Sequence, residues 1–422
     1  MTRAFTTRFG FLSLVGAAAA IAATSSGPQP TLPGPPAGSD RPVRVLIGSV
    51  PREMPLAQKG AWQLIDASGN MVAKDTTTER WSLSRDGRRL RVIQAEAAIT
   101  PWIEGPLTLQ LADGVEATWQ KKGYRGTLTY VGNDSALLVV NRVDVEEYLR
   151  SVVPLEIGGR LTSDHAAVEA QAVAARSFTY TKMIANSARD FDVRATDADQ
   201  VYAGTSAETF WGDLAVAATA GWVLSYRGQV VTAPYHSACG GTTALPSEVW
   251  RGGRDGYLRS VSDTSATTGR PWCDLSPRVN WERRLSVQDL AGAITSYAST
   301  YAKVPEGAAS SVRGVRADGT SSTGRVKAIV FETAAGDVTV GGTDVRYVLR
   351  QVGGAILPTS AFTVETERGE AGDLLGVVVR GRGNGHGVGM CQWGAIARAR
   401  AGDDFRAILK AYYPGASLIR AP

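Results

Sequence analysis

From Val43 to Tyr130, apolar residues come in short alternating runs separated by turn residues. Val43-Arg-Val-Leu-Ile-Gly, Ala61-Trp-Gln-Leu-Ile-Asp, Leu90-Arg-Val-Ile, Leu107-Thr-Leu-Gln-Leu and Gly126-Thr-Leu-Thr-Tyr have strand character, with one face to bury. Asp66-Ala-Ser-Gly-Asn and Asp86-Gly have the residue types of hairpin turns. The pattern predicts a small antiparallel β domain over residues 43–130, with no catalytic constellation in it. A further strand, Ala136-Leu-Leu-Val-Val-Asn, leads out of it.

The period then changes. Ala167, Ala170 and Ala174 recur at spacings of three and four within an Ala-rich run from Ala166 to Tyr180, which predicts a helix capped by Ser163 or Asp164. So small a face lets another backbone or a flat substrate wall come close. Glu156 closes the run that begins at Val143 and is expected on the turn before this helix. Glu169 and Arg176, seven apart, share another face. The alanines and Phe178 around Arg176 predict a buried ion pair or a substrate contact, against the alternative of a solvated helix charge.

A second Ala-rich helix is predicted from Glu208 to Thr219, with Gly221 as its cap. The strand Trp222–Tyr226 and the turn Arg227-Gly228 follow. A strand from Val230 then ends in His236-Ser237-Ala-Cys239-Gly240-Gly241, which puts a hydroxyl and bare backbone at a strand edge where a polar ligand can lie. Residues 282–362 combine an amphipathic segment, Leu285 to Tyr301, with a hairpin, and contain no His and no Cys. They read as an inserted α+β module serving as scaffold or wall-binding surface. The chain returns through Leu374 to Arg380, then Gly381-Arg-Gly-Asn-Gly385-His386-Gly-Val-Gly389, and ends in a helix reaching Tyr412. The predicted class is α+β, with a catalytic domain in two parts, 131–281 and 363–422, where Ala-rich helices pack on strands.

At the start of the chain, Arg3 and Arg8 precede an apolar run, Phe9 to Ala23, too short to span a bilayer comfortably, and Ala20-Ile-Ala22 is a small-x-small cleavage site. Residues 1–23 are expected to be a signal peptide and 24–42 a Pro-, Gly- and Ser-rich linker. The expected location is exported: periplasmic, wall-associated or secreted, without a membrane span after cleavage. A hydrophobic content of 44% and ten Trp suffice for a large core. The formal charge of +5, two of it in the leader, is too small to argue for nucleic acid and suits anionic wall polymers.

The glycines at 381–389 lack the Lys-Ser/Thr of a phosphate loop and the spacing of a dinucleotide fingerprint. What remains is His386 held on bare backbone that a bulky ligand can approach, or else a structural His bonded to a carbonyl. The chain has three Cys. Two readings stay open for them. His236, Cys239, Cys273 and Cys391 have the donor types of a structural zinc site, whereas a Cys239–Cys273 disulfide would leave Cys391 as a small buried hydrophobe.

Five motifs taken together resemble the stage II sporulation protein D and amidase-enhancer family. They are Val143-Asp-Val-Glu-Glu-Tyr-Leu-Arg-Ser-Val-Val-Pro-Leu-Glu156, Ala170-Gln-Ala-Val-Ala-Ala-Arg176-Ser-Phe, Asp199-Gln-Val-Tyr202-Ala-Gly, Tyr235-His-Ser-Ala-Cys-Gly-Gly, and Gly381-Arg-Gly-Asn-Gly-His386-Gly-Val-Gly-Met-Cys-Gln392-Trp-Gly-Ala. The resemblance implies a lytic transglycosylase acting on peptidoglycan glycan strands, with Glu156 as the catalytic residue. Arg176, Tyr202 and His386 are expected to position sugar, and Ser237, Gly240, Gly241 and Gln392 to line the groove. Some relatives carry zinc near this strand, some need strands stripped of stem peptides, and some are known only as enhancers of a wall amidase. A wall-binding protein that presents its substrate to such an amidase is therefore the rival reading. A zinc amidase is a weaker third, because the ligands are too rich in thiolate to leave an open catalytic position.

The chemistry agrees with the assignment of Glu156. One carboxyl group can protonate the leaving glycosidic oxygen and then, as carboxylate, take the C6 hydroxyl proton as a 1,6-anhydro ring closes. No cofactor is required. Pro154, Leu155 and Ile157 are expected to raise its pKa, and Glu146, Glu147 and Glu169 to lie on helix surfaces.

Overall fold

The computed structural model describes residues 41–421 apart from 57, 59, 77–79, 113, 159 and 160. The expected signal peptide, and all of the expected linker but its last two residues, lie outside the described residues. The architecture is α+β, as the patterning implies.

The alternating runs form a seven-stranded sheet in the order Val193–Arg194, Val43–Val50, Leu137–Val143, Thr127–Gly132, Leu107–Leu111, Trp62–Ile65, Met71–Asp75. Neighbours are antiparallel except that Val193–Arg194 runs parallel to Val43–Val50. Trp62, Leu64, Leu107, Leu109, Leu128 and Tyr130 are buried at alternate positions, as a period of two requires. A second sheet holds Glu53–Leu56, Trp81–Asp86, Arg89–Gln94 and two short strands. Trp62 and Trp81 meet edge to face, with ring centroids 5.1 Å apart. At the Asp66 hairpin, the backbone N–H groups of Ser68 and Asn70 donate to the Asp66 carboxylate.

Helices follow the strand Leu137–Val143 in the chain. In α1 (Val145–Ile157), Asp144 accepts from the N–H groups of Glu146 and Glu147, and Gly158, at φ +80°, stands just past the last turn. The ring of Pro154 packs against Gly212 in α3 (Phe210–Ala218), where a Cβ would lie 2.6 Å from it. The central helix is α2 (His165–Ala185). Its Ala167, Ala170 and Ala174 are fully buried, so the small-residue face receives neighbouring helices, not a substrate wall. Asp164 precedes α2 without a side-chain cap bond, its carboxylate being engaged by Arg400.

A short helix α4 (Pro246–Val249) follows. Residues 280–382 then build a core of their own from Leu285, Leu290, Ile294, Phe331, Val340, Val348, Val377 and Val379. Ser286 caps α5 (Val287–Ser296) in a capping box with Asp289, so the expected amphipathic segment is strand up to Ser286 and helix only beyond it. The module's sheets are Asn280–Ser286 with Leu374–Arg382 and Phe362–Arg368, and Val312–Ala317 with Ala328–Thr333 and Val338–Gly341. A short α6 (Val345–Val348) follows the second hairpin. The strand Leu374–Arg382, assigned from sequence to the catalytic domain, pairs on both sides inside this module. The final segment forms two helices, not one: α7 (Gln392–Arg400) and α8 (Phe405–Tyr412), separated at Gly402 (φ +103°) and with Asp404 capping the second. Among the described residues, no helix is long and apolar enough to cross a membrane.

Candidate functional site

Glu156 lies in the last turn of α1, not on a turn outside helical structure. Asp144 starts the helix early enough that its end carries the carboxyl group toward the segment after α2. There the Val201 N–H donates to Oε1 at 2.9 Å. Gln392 Nε2 donates to the Glu156 carbonyl at 3.1 Å and to Gln171 Oε1 at 3.2 Å. Gln171 is fully buried, and its Nε2 has no partner among the described residues. Burial raises the Glu156 pKa above the ordinary carboxyl range, opposed by the Val201 N–H. Leu155 does not supply this burial, since its side chain is 40% exposed. The charge of Glu156 is in turn felt by Tyr148, fully buried, and Tyr235, partly buried, both pushed upward mainly by desolvation.

Arg176 does not face a groove. It is fully buried and donates Nε to Glu146 Oε1 at 2.8 Å and Nη2 to Glu146 Oε2 at 2.6 Å, with Nη1 on the Trp222 carbonyl. The ion-pair alternative for Arg176 is the one observed. Its partner was expected on the surface. Glu146 is instead 12% exposed and also accepts from the Gly221 N–H. Glu169 pairs with His165 at 3.4 Å, and Glu147 is 4.0 Å from Arg125. Tyr202 is 5% exposed, packs on Tyr148 and Tyr124, and donates its hydroxyl to Asn141. It braces the strand Leu137–Val143 from within. The neighbours in its motif, Gln200 and Val201, are the ones that approach the carboxyl environment: Gln200 accepts from Tyr148 and Thr179 and donates to Tyr235.

The expected strand from Val230 to His236 is interrupted, and resumes at Tyr235–His236, parallel to Met390–Cys391. Alternate glycines of the loop let backbones touch: a Cβ on Gly385 would lie 2.8 Å from His236 Cβ, and one on Gly389 2.1 Å from the Pro234 carbonyl oxygen. Val388 joins the two histidines. His236 Nδ1 donates to its carbonyl at 3.2 Å, and its N–H donates to His386 Nδ1 at 3.0 Å. The imidazole centroids are 5.5 Å apart, and Trp250 lies 5.1 Å beyond His386. Burial pushes the His386 pKa down to about 4, helped by Arg346 and Arg325, and holds His236 well below its usual value. Both rings are neutral at physiological pH.

Cys239, Cys273 and Cys391 come together as free, buried thiols. His236 is not with them. The fourth donor is Asp263, which sequence reasoning missed because an Asp in Val261-Ser-Asp-Thr-Ser carries no motif. One ligand atom from each of the four lies within 4.8 Å of the others. Cys239 Sγ is 3.7 Å from Cys273 Sγ and 3.2 Å from Asp263 Oδ2. Asp263 Oδ1 accepts from the Tyr412 hydroxyl at 2.7 Å, with Arg398 at 3.5 Å. The Cys273 thiol is pushed down to about 3 by hydrogen bonds from Cys239 and Cys391, with further help from the N–H groups of Gly240 and Gly241. A thiolate, two more thiols and an aspartate oriented by a tyrosine form a donor set that fits tetrahedral zinc.

Gly241 is buried against Pro271 and turns its N–H toward Cys239, so it serves the sulfur cluster and not a groove. Gly240 does line a groove of about 790 Å³, with Thr242, Trp281, Phe362 and Arg382 among its walls. Ser237 is half-buried, its carbonyl accepting from the Trp393 N–H. Gln392 is 8% exposed and supports the backbone of Glu156.

The site thus consists of a desolvated carboxyl at a helix end, its carbonyl held by Gln392 at the start of α7, just after the strand that pairs in parallel with Tyr235–His236. A family model described as stage II sporulation protein matches residues 133–226, which include Glu156, Arg176 and Tyr202. A second, described as a domain of unknown function, matches residues 274–389. An uncharacterised protein of Brachyspira hyodysenteriae is 30% identical over 297 residues, covering 70% of this chain and 72% of the relative. The amidase enhancer of Bacillus subtilis is 30% identical over 304 residues, 64% of this chain and 40% of that protein. Stage II sporulation protein D of Bacillus subtilis is 29% identical over 305 residues, 67% of this chain and 76% of the relative. The chain spans less than half the length of the amidase enhancer. It belongs to the stage II sporulation protein D and amidase-enhancer family, and its role is related to the cell wall.

Proposed function

We propose that this protein is an exported lytic transglycosylase that cleaves peptidoglycan glycan strands between N-acetylmuramic acid and N-acetylglucosamine. The observation supporting this reading is Glu156: one carboxyl oxygen is fixed by the Val201 N–H, and burial favours the protonated form. The protonated group donates to the departing glycosidic oxygen. The resulting carboxylate takes the proton from the C6 hydroxyl as that oxygen closes on C1, so no water is consumed and the new end is a 1,6-anhydro sugar. Gln392 and Val201 act as positioning residues, holding the backbone and one oxygen of Glu156.

Cys239, Cys273, Cys391 and Asp263 would hold a structural zinc ion tying the segment after Tyr235–His236 to the start of α7. Zinc there would supply cross-linking and charge neutralisation. The glycosidic chemistry proceeds without it.

Digestion of purified glycan, followed by analysis of the ends, tests the proposal. Anhydro ends are expected, and reducing ends would make the protein a hydrolase instead. The identity to the amidase enhancer favours a second reading, a non-catalytic protein that presents the wall to an amidase. Glu156→Gln separates the two: under the enzyme reading it abolishes turnover and leaves wall binding intact.

A further inference from the structure

Two guanidinium groups of the module stand beside the His386 loop without a carboxylate against either. Arg325, 2% exposed, spends its donors on neutral oxygens: Nη1 on the Thr323 carbonyl and hydroxyl at 3.1 and 3.0 Å, and Nη2 on the Thr242 carbonyl at 3.2 Å. Glu248 does not touch it: its Oε2 accepts from the Thr323 hydroxyl at 2.6 Å, and its charge offsets only part of the desolvation of Arg325. Arg346 is half-buried and donates Nε to the Leu357 carbonyl at 2.9 Å. Among the described residues, neither makes an ion pair, and burial pushes both pKa values down. The other deeply buried arginine, Arg176, has its own carboxylate in Glu146. Desolvated cations kept without an anion point to a ligand that supplies one.

The surrounding geometry gathers these groups at one place. Gly387 must be bare because a Cβ there would lie 2.3 Å from Arg325 Nη2, which puts that guanidinium against the residue after His386. The ion pair Arg251–Asp344, at 2.7 Å, brings the start of α6 to the Trp250 segment. The Trp250 ring is 39% exposed and 5.1 Å from that of His386. With His386 Nδ1 accepting from the Val388 N–H, its Nε2 carries the proton and is a donor, with the Tyr235 carbonyl as its neighbour within the protein.

We propose that Arg346 and His386, backed by the charge of the buried Arg325 and with Trp250 as an apolar platform, form a subsite for a carboxylate of the glycan substrate. This rests on the glycan reading of the substrate. A muramyl sugar carries a lactyl ether whose carboxyl group is amide-bonded to the stem peptide and becomes a free carboxylate once that peptide is hydrolysed away. The stem peptide also carries carboxylates. A guanidinium fork matches either source in geometry and charge.

The test is binding by the full chain carrying Glu156→Gln, so that no turnover intervenes. Three probes are compared: stripped glycan strands, the same strands with their carboxyl groups amidated by methylamine, and strands with intact stem peptides. Stripped strands are expected to bind about tenfold more tightly than amidated ones, the worth of a charge-assisted contact. Adding Arg346→Gln should reduce stripped strands to the amidated level without weakening the amidated probe, and Arg346→Lys should restore part of the preference. Equal binding of stripped and amidated strands, or equal weakening of both by Arg346→Gln, overturns the subsite. Tightest binding of intact strands, lost with Arg346→Gln, upholds it and places the carboxylate on the stem peptide. Because the readout is binding, a wild-type protein that makes no anhydro ends leaves these outcomes intact. Failure to bind any strand would remove the glycan reading and the subsite together.

Discussion

The two ends of α1 carry a glutamate each, in opposite environments. At the first turn, Glu146 meets both arms of the Arg176 guanidinium and the Gly221 N–H. At the last turn, Glu156 has one backbone N–H and a raised pKa. Burial alone therefore does not make a carboxyl group useful for proton transfer. Desolvation without a neighbouring cation, as at Glu156, is what favours the protonated form. One helix delivers a carboxylate that ties α1 to α2 through an ion pair and a desolvated carboxyl that faces the segment after α2.

The largest effect expected from breaking this contrast is on turnover. Glu156→Gln should lower the rate of glycan cleavage by about 10²–10⁴-fold, the usual worth of a general acid, with circular dichroism unchanged. Retained turnover would take the chemistry away from this residue. Next is Glu146→Gln, which strands a buried guanidinium and should destabilise the protein by about 3–5 kcal/mol in chemical denaturation. An inactive but fully stable Glu146→Gln protein would erase the proposed division of labour.

A smaller effect is expected at Gln392. Gln392→Leu removes the brace on the Glu156 carbonyl and should lower kcat about tenfold with KM little changed, as for a lost positioning contact. A change confined to KM would mean that Gln392 touches substrate instead.

The smallest effect is thermodynamic and tests the sign of the Glu156 shift. A carboxyl group with a raised folded pKa binds its proton more tightly in the folded state, so its contribution to stability falls as pH rises from its unfolded value through its folded one. Glu156→Gln should therefore raise Tm modestly at pH 7 and not at pH 4, as scanning calorimetry would show. Under the proposed reaction, glycan cleavage by the wild-type protein should decline above the same raised pKa, as the acid form is lost. A Tm gain that is equal at both pH values would deny the desolvation of this group.

Much of this was legible in the chain itself, because some signals are local. Alternation marked Trp62–Ile65, Leu107–Leu111 and Thr127–Gly132 as strands, since a strand with one buried face must alternate. Alanines at spacings of three and four marked α2, and the motif around Glu156 singled out the carboxyl group whose environment is desolvated. The flanking apolar residues marked Arg176 as buried but left an ion pair and a substrate contact equally open. What the sequence left open were identities of partners, because a partner is chosen by three-dimensional approach and not by spacing. Glu146 looked like helix surface until Arg176, thirty residues away, closed on it. Tyr202 looked like a sugar contact until its hydroxyl met Asn141 inside the sheet. His236 had the spacing of a ligand to join Cys239, but a strand points successive side chains to opposite faces, and its ring went to Val388 and His386. Asp263 took the vacant place in the thiol cluster without any local signature. Local periodicity is written in the chain, whereas the electrostatic environment of each buried charge exists only once distant segments have packed around it.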